Sequence, residues 1–283
     1  MLHLPLTIVL AADYAYAPYL ETTLKSLHVH HDGLKIYLIN KDFPSQWFDV
    51  INRQLSQKSS LIVDKKIDVV DLSGFQTWGH INEATFYRYY IPRLIPEERV
   101  IYLDSDLVVT GSLLSFWELD LKGKGLAAVP DFIVAQLQKR INFNAGVMLI
   151  DNQKWREKQI WEQAIALHRN PEVTIGPDAD QEVLNNLFYK DWLVLDEGYN
   201  FQTAYMWRQG CWPSSPPLLI HYTTSCKPWN PCVGHWSYRW KGFLKGQFGF
   251  IEALTNKAGF PKAIVQPWHE YHELSWESID GKE

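Results

Sequence analysis

Two aspartates stand one residue apart in the segment RVIYLDSDLVV, residues 99–109, directly after an apolar run. Charged side chains are rarely left at the end of a buried strand without a partner. Residues i and i+2 of an extended chain point to the same side, so Asp104 and Asp106 form a pair of hard oxygen ligands suited to Mg²⁺ or Mn²⁺. The alternative is a solvated turn, because a D-x-D sequence also occurs by chance.

A histidine and a lysine follow another apolar stretch late in the chain. His221 and Lys227 lie in HYTTSCKPW, residues 221–229, at the end of the run LLI. A neutral imidazole can complete the shell of a borderline metal such as Mn²⁺, and a lysine can neutralise a phosphate. A lone histidine is more often structural, so His221 gains weight only in combination with the two aspartates.

The N-terminal segment IVLAADYAY has the same form, a strand followed by a carboxylate. Ala11 and Ala12 are small enough to let a planar ring approach the backbone, and Tyr16 could stack on that ring. Taken alone, Asp13 is better explained as the N-cap of the helix that follows.

Asparagines and a glycine precede a further apolar run in NFNAGVMLID, residues 142–151. The carboxamides of Asn142 and Asn144, beside Gly146, could hydrogen-bond the hydroxyls of a polar ligand. Turn formation is the alternative, because Asn and Gly are frequent in turns.

Strand-like and helix-like segments alternate along the chain and must position these residues. Apolar runs predict strands at residues 6–13, 34–40, 66–72, 99–106, 125–131, 145–151, 192–196 and 218–223. Helical spacing predicts helices at residues 16–31, 44–57, 82–95 with an interruption at Pro92, 152–170 and 178–188. This alternation predicts an α/β fold with a parallel sheet between two layers of helices, which binds ligands at the carboxyl ends of its strands.

Charge, cysteine content and the length of the apolar runs exclude several classes of protein. The net charge of -5 gives no electrostatic support to nucleic-acid binding. Three cysteines without a C-x-x-C pair argue against a disulfide framework or a zinc knuckle and suit a reduced compartment. The start MLHLPLTIVLAAD predicts a first strand rather than a signal peptide, and no run reaches the roughly 20 apolar residues of a bilayer span. We expect a soluble, cytoplasmic protein.

Six segments in order resemble the pattern of glycosyltransferase family 8: AAD, TFYR, LDSDLVV, FNAGVMLID, DADQEVLN and HYTTSCKPW. Each segment is weak alone, but the ordered series, across roughly residues 6–230, is specific. The family includes bacterial lipopolysaccharide α-galactosyl- and α-glucosyltransferases and glycogenin. The resemblance implies the GT-A fold, a Rossmann-like and mostly parallel sheet flanked by helices. It also implies a UDP-hexose donor whose diphosphate is bridged by Mn²⁺, with Mg²⁺ as the alternative ion.

Position by position, the resemblance assigns roles to thirteen residues. It implies metal ligation by Asp104, Asp106 and His221; uridine contacts from Ala11, Asp13 and Tyr16; a sugar-nucleotide contact from Arg88; surroundings of the donor hexose from Asp131, Asn144, Gly146, Asp180 and Gln181; and a diphosphate contact from Lys227. Two positions depart from the family pattern, since Ala15 stands where an Asn is frequent and Thr224 where a Gly is common.

The resemblance predicts a retaining hexosyltransferase that moves galactose or glucose from a UDP-sugar to a hydroxyl of a glycan or glycoconjugate, as in lipopolysaccharide biosynthesis. Gln181, Asp180 and Asp131 form the predicted catalytic group. An amide is a poor nucleophile, so Gln181 favours front-face attack over a glycosyl ester on Asp180 or Glu182. The alternative function is a non-catalytic nucleotide-sugar or carbohydrate-binding protein. An oxidoreductase is set aside because no G-x-G-x-x-G follows the first strand.

We predict a catalytic domain over residues 1–235 and an aromatic-rich C-terminal extension over residues 236–283. From about residue 205 the chain is rich in Pro, Trp and Cys, which predicts an ordered functional loop. The candidates for stacking on an acceptor sugar are Trp207, Trp212, Trp229 and Trp236. The segment SYRWKGFLKGQFGF is mildly basic, but an acidic tail follows it and is expected to fray. We therefore expect at most weak peripheral contact with a membrane.

Overall fold

The computed structural model describes residues 5–77, 82–131, 141–203, 216–223, 227–230, 244 and 262–279. The strands are β1 Thr7–Ala11, β2 Lys35–Asn40, β3 Leu61–Lys66, β4 Arg99–Leu103, β5 Leu107–Val109, β6 Leu126–Pro130, β7 Phe143–Asp151, β8 Trp192–Val194, β9 Phe201–Gln202 and β10 Leu219–His221. The α-helices are α1 Ala17–His30, α2 Ser45–Leu55, α3 Ile91–Leu94, α4 Leu114–Trp117, α5 Asn152–Glu157, α6 Ile160–Arg169, α7 Ala179–Leu187, α8 Lys262–Glu273 and α9 Trp276–Ile279. In these ranges, no helix is long and apolar enough to cross a membrane.

A seven-stranded sheet in the order β3-β2-β1-β4-β7-β6-β8 forms the centre of the fold. Most neighbouring strands are parallel, but β7 runs antiparallel to β4 and to β6. The amino end of β7 therefore lies at the same edge of the sheet as the carboxyl ends of β1 and β4. The predicted α/β fold with a mostly parallel sheet is confirmed.

Alternating strand residues build a hydrophobic core on each face of this sheet. In β1, Ile8 and Leu10 pack with α1 and α2, whereas Val9 packs on the opposite face. That opposite face is covered by α5, α6, α7 and the 3₁₀ helix Glu83–Tyr90. Apolar residues on both faces explain why the strands are continuous apolar runs in the sequence.

A second sheet has three strands in the order β5-β10-β9. β10 is antiparallel to β5 and parallel to β9. Because β5 begins one residue after Asp106, this small sheet fixes where the aspartates lie relative to β10.

The predicted third strand at residues 66–72 is wrong. The strand is β3, which pairs with β2, and the chain then forms a 3₁₀ helix over Val69–Leu72. The Asp68 carboxylate accepts a hydrogen bond from the Val70 N–H, so this residue turns the chain instead of extending it. The apolar pattern of KIDVVDL did not reveal this cap.

Two predicted helices are present in altered form. The segment 82–95 is a 3₁₀ helix followed by α3, with Pro92 in the first turn of α3, where a proline is tolerated. The predicted helix over residues 152–170 is divided into α5 and α6 by Gln159, which has a left-handed φ of 52°. The Asp151 side chain caps α5, since its carboxylate accepts a hydrogen bond from the Lys154 N–H.

The predicted fraying of the acidic tail is wrong for the described residues up to Ile279. Helices α8 and α9 contact α1, and within the tail Tyr271 packs against the cluster of Phe201 and Tyr222, and Ile279 is buried. Burial of these apolar side chains stabilises the segment despite its acidic composition.

A half-buried histidine makes the stability of the fold depend on pH. The His168 ring stacks on Phe75 at 4.0 Å, its Nε2 lies 3.0 Å from the Tyr89 hydroxyl, and burial lowers its pKa to about 4. An unfolded histidine titrates near pH 6.5, so the unfolded chain binds a proton first as the pH falls. Because the half-exposed ring is partly screened by solvent, we expect the free energy of unfolding to drop by only about 1 kcal/mol from pH 7 to pH 5 because of this residue.

Urea unfolding at the two pH values measures this effect. His168→Phe should reduce the loss of stability, whereas the exposed His269→Phe should not. An identical pH dependence in the parent and in His168→Phe would contradict the assignment.

Candidate functional site

Asp104, Asp106 and His221 converge beyond the carboxyl end of β4. One ligand atom from each residue lies within 4.8 Å of the others. The His221 Nε2 is 3.7 Å from the Asp104 Oδ2 and 3.1 Å from the Asp106 Oδ1. The strand pairing explains the convergence, because Leu107 of β5 lies opposite His221 of β10.

One oxygen of each carboxylate accepts hydrogen bonds from other side chains, and the other oxygen faces His221. The Asp104 Oδ1 accepts hydrogen bonds from Arg88 at 2.9 Å and from the Tyr102 hydroxyl at 2.8 Å, and the Asp106 Oδ2 accepts one from Lys227 at 2.6 Å. The Asp106 Oδ1 is buried, and in the described part of the chain it faces the His221 Nε2. Two carboxylate oxygens and one imidazole nitrogen therefore share a small space, a donor set that fits Mn²⁺ or Mg²⁺.

The charge of Asp106 depends on its neighbours. Burial alone raises the pKa of its carboxyl, but charged neighbours, chiefly the Lys227 ammonium, outweigh burial and hold the pKa well below the usual range. This residue is therefore ionised at neutral pH, as a metal ligand must be.

Gly146 provides the space in which the three candidate metal ligands meet. A Cβ atom at this position would lie 2.3 Å from the His221 Cε1 and 2.5 Å from the Asp104 Oδ2. Its carbonyl accepts the Asp104 N–H at 2.7 Å, which holds the two backbones together. A side chain at position 146 would displace His221 or Asp104.

Arg88 connects the candidate metal-binding group of Asp104, Asp106 and His221 to α7. Its Nη1 donates to the Ala145 carbonyl at 2.6 Å, and its Nε lies 2.9 Å from the Asp180 carboxylate. The Thr85 hydroxyl also donates to Asp180. Burial raises the pKa of Asp180 to about 6, although the charge of Arg88 opposes that shift. The Arg88 guanidinium contacts Asp104 and Asp180. Its contact with a sugar nucleotide stays a prediction.

Gln181 lies beyond Asp180 with its amide held in one orientation. Its Oε1 accepts the Ala145 N–H at 3.0 Å, and its Nε2 donates to Asp131 at 3.1 Å. Glu182 points elsewhere, because its Oε2 accepts the Gly176 N–H at 2.7 Å. Gln181 and Asp131 thus form a polar group from which Glu182 is separate.

Asp13, Tyr16 and Trp229 lie at another part of the site. The Asp13 carboxylate accepts the Tyr16 N–H at 3.2 Å, so the predicted N-cap is present, and it also accepts the Asn82 amide at 2.7 Å. The Tyr16 ring contacts the Trp229 ring edge-on at 5.9 Å. Trp229 stacks on Tyr19 at 4.2 Å, which places one predicted acceptor-stacking tryptophan beside the predicted uridine contacts.

One cleft of about 640 Å³ is lined by all thirteen residues to which the sequence assigned roles. Asn142 is not among its lining residues; the Asn142 carbonyl accepts the Asp131 N–H at 2.8 Å instead. Several named positions fall outside the described residues: Trp207, Trp212, Trp236, Thr224, Cys211, Cys226 and Cys232.

Sequence reasoning missed Tyr102, Thr85 and Asn200 as parts of the site. Tyr102 could have been found, because it precedes Asp104 by two residues and shares its side of the chain. Thr85 lies in the TFYR segment of the family pattern, but its hydrogen bond to Asp180 joins elements that are far apart in the sequence. Asn200 is fully buried beside His221 and carries no local signal, since the pairing of β9 with β10 places it there.

Residues 7–232 match the family model described as Glycosyl transferase family 8. The chain is 39% identical to the glycosyltransferase GlyE of Streptococcus pneumoniae serotype 4 (strain ATCC BAA-334 / TIGR4) over 238 residues, covering 79% of this chain and 56% of GlyE. It is 37% identical to GlyF of the same strain over 231 residues, covering 79% of this chain and 57% of GlyF. The chain thus spans somewhat over half the length of these relatives.

Solved structures agree with this likeness. The crystal structure of GlyE superposes with a TM-score of 0.75 at 32% identity, covering 98% of this chain and 62% of GlyE. The galactosyltransferase LgtC, solved with donor and acceptor sugar analogs, superposes with a TM-score of 0.71 at 24% identity, covering 94% of this chain and all of LgtC. The fold is that of the GT-A glycosyltransferases.

Gly146→Ala tests the crowded metal site. The added methyl group would push His221 or Asp104 aside, so we expect Mn²⁺ to bind about tenfold more weakly or worse, which is about 1.4 kcal/mol. Isothermal titration calorimetry with Mn²⁺ measures the affinity. Gly198→Ala is the matched control, because its Cβ would meet nothing within 4 Å. Parental affinity in Gly146→Ala would contradict the geometry.

Proposed function

The chain belongs to glycosyl transferase family 8, and we propose that it is a metal-dependent, retaining hexosyltransferase. The proposed donor is UDP-galactose or UDP-glucose, and the proposed acceptor is a hydroxyl of a glycan or glycoconjugate. The observation that carries the proposal is the convergence of Asp104, Asp106 and His221 in a cleft lined by every residue predicted to contact the donor. Membership of the family supports sugar transfer; the donor, the metal and the stereochemistry are the proposed part.

The three ligands are arranged for a divalent cation on a diphosphate. Mn²⁺ or Mg²⁺ bound there would act as a Lewis acid towards the leaving UDP. Lys227 adds positive charge beside Asp106. An ammonium has three N–H donors, and among the described residues Lys227 donates to Asp106 and to the Tyr222 carbonyl. The third N–H would bind a phosphate oxygen.

The contacts of Asp180 and Glu182 favour front-face attack, because neither carboxylate is free to reach the predicted hexose position. A glycosyl ester requires a carboxylate that is free to attack the sugar. Asp180 is engaged by Arg88 and Thr85, and Glu182 accepts the Gly176 N–H outside the cleft lining. In the proposed mechanism, the acceptor hydroxyl enters on the side of the departing UDP, a diphosphate oxygen takes its proton, and Gln181 and Asp131 orient the hexose.

Asp104→Asn and Asp106→Asn test the metal dependence. Each change removes one anionic ligand, so we expect UDP release from UDP-galactose or UDP-glucose with Mn²⁺ to fall by about 100-fold or more. A coupled UDP assay measures the rate, and thermal unfolding shows that the variants fold. Asp49→Asn, an exposed change on α2, is the matched control.

The outcomes of this assay are distinct. Full activity in either variant, or in excess EDTA, would overturn the metal assignment. A parent that binds the UDP-sugar and releases no UDP, with any acceptor offered, would support the non-catalytic binding protein instead.

Glu182→Gln tests the front-face mechanism. A glutamine can still accept the Gly176 N–H, so we expect kcat within about threefold of the parent and a product with retained anomeric configuration by ¹H NMR. A trapped glycosyl ester on Glu182 or Asp180 of the parent enzyme, detected by mass spectrometry after quenching, would overturn the mechanism.

A further inference from the structure

A line of side-chain amides leads from His221 to the part of the cleft where the hexose is predicted to bind. The His221 Nδ1 lies 3.1 Å from the Asn200 Oδ1, and the Asn200 Nδ2 donates to the Asn144 Oδ1 at 2.9 Å. The Asn144 Nδ2 lies 3.3 Å from the Gln181 Oε1. Asn200 is fully buried, and less than a tenth of Asn144 and of His221 is exposed. The imidazole is thus held on the side away from its ligand atom.

Two backbone N–H groups fix the direction of every bond in this line. An N–H can only donate, and the Gly146 N–H is 3.1 Å from the Asn144 Oδ1, which identifies that atom as oxygen. The Asn200 atom facing this oxygen must then be its NH₂ group, and its own oxygen faces His221. The Ala145 N–H, in the same way, identifies the Gln181 Oε1 as oxygen.

The tautomer of His221 follows from this orientation. Because an oxygen of Asn200 faces the His221 Nδ1, that nitrogen carries the hydrogen, and the neutral ring keeps its lone pair on Nε2. Nε2 is the atom that faces Asp104 and Asp106. In the opposite tautomer, Nε2–H would point at the carboxylates, and the Nδ1 lone pair would face the Asn200 oxygen.

We propose that Asn200 is a positioning residue that holds His221 in its metal-binding tautomer and fixes its ring relative to Asn144 and Gln181. This inference rests on the proposed metal-dependent transfer. Metal-ligating histidines depend on such a partner on the other ring nitrogen, and its loss costs about 10–100-fold in metal affinity. Asn200 directly precedes β9, and the pairing of β9 with β10 brings it beside His221.

Two substitutions at Asn200 distinguish its effect on the orientation of His221 from its contribution to packing. Asn200→Ala removes the acceptor for the His221 Nδ1–H, so we expect Mn²⁺ to bind about 10–100-fold more weakly. Asn200→Asp keeps that acceptor and loses the donor to Asn144. We therefore expect Mn²⁺ affinity within about threefold of the parent, together with a raised KM for the UDP-hexose.

Mn²⁺ affinity is measured by calorimetry without nucleotide, with thermal unfolding of each variant. Asn152→Ala is the matched control, because Asn152 is also fully buried and its amide donates to the Ile95 and Glu97 carbonyls. It should lose stability without losing Mn²⁺ affinity. A long-range ¹H–¹⁵N spectrum of the Mg²⁺-loaded protein reports the tautomer of His221 directly.

Parental Mn²⁺ affinity in Asn200→Ala, or an equal loss in Asn152→Ala, would overturn the inference, as would an Nε2–H tautomer. A parent that binds no Mn²⁺ would overturn the metal site of the proposed function together with this inference. A parent that binds Mn²⁺ and releases no UDP would contradict the proposed function and leave the role of Asn200 intact.

Discussion

The antiparallel pairing of β5 with β10 is the constraint on which the site depends. It brings Leu107 opposite His221, and the Tyr222 N–H donates to the Asp106 carbonyl at 3.0 Å. Strand neighbours have a fixed separation, so a few backbone hydrogen bonds determine where the imidazole meets the two aspartates. β4 ends at Leu103 and β5 begins at Leu107, so both carboxylates lie in the short link between the two sheets.

The charges gathered at this link offset one another only in part. Asp104, Asp106 and Asp180 contribute three carboxylates, and Arg88 and Lys227 contribute two cations, which leaves one negative charge when His221 is neutral. Burying unbalanced charge is unfavourable, and burial raises the pKa of Asp180 to about 6. A divalent cation would reverse the sign of the group, which suits a site that receives a diphosphate.

The residues with predicted roles lie together in the structure, whereas some of the elements around them were misplaced. All thirteen assigned residues line one cleft, because parallel strands end at one edge of a sheet and because β7 brings Asn144 and Gly146 to that edge in the opposite direction. The third strand was misplaced because Asp68 ends the extended run with a cap that apolar patterning does not detect. The role of Asn200 could not be predicted, since it depends on the pairing of two short strands far apart in sequence from Asn144.

The helices near the C-terminus support the strand that carries His221. The Tyr222 hydroxyl donates to the Ile264 carbonyl at 2.7 Å, and Trp268 contacts Trp229, which lines the cleft beside Tyr16. A recombinant fragment ending near residue 235 would expose the apolar surface around Tyr222 to water and leave Trp229 without its neighbour in α8. Inactivity of such a fragment would reflect the loss of this aromatic support as much as the loss of any acceptor contact.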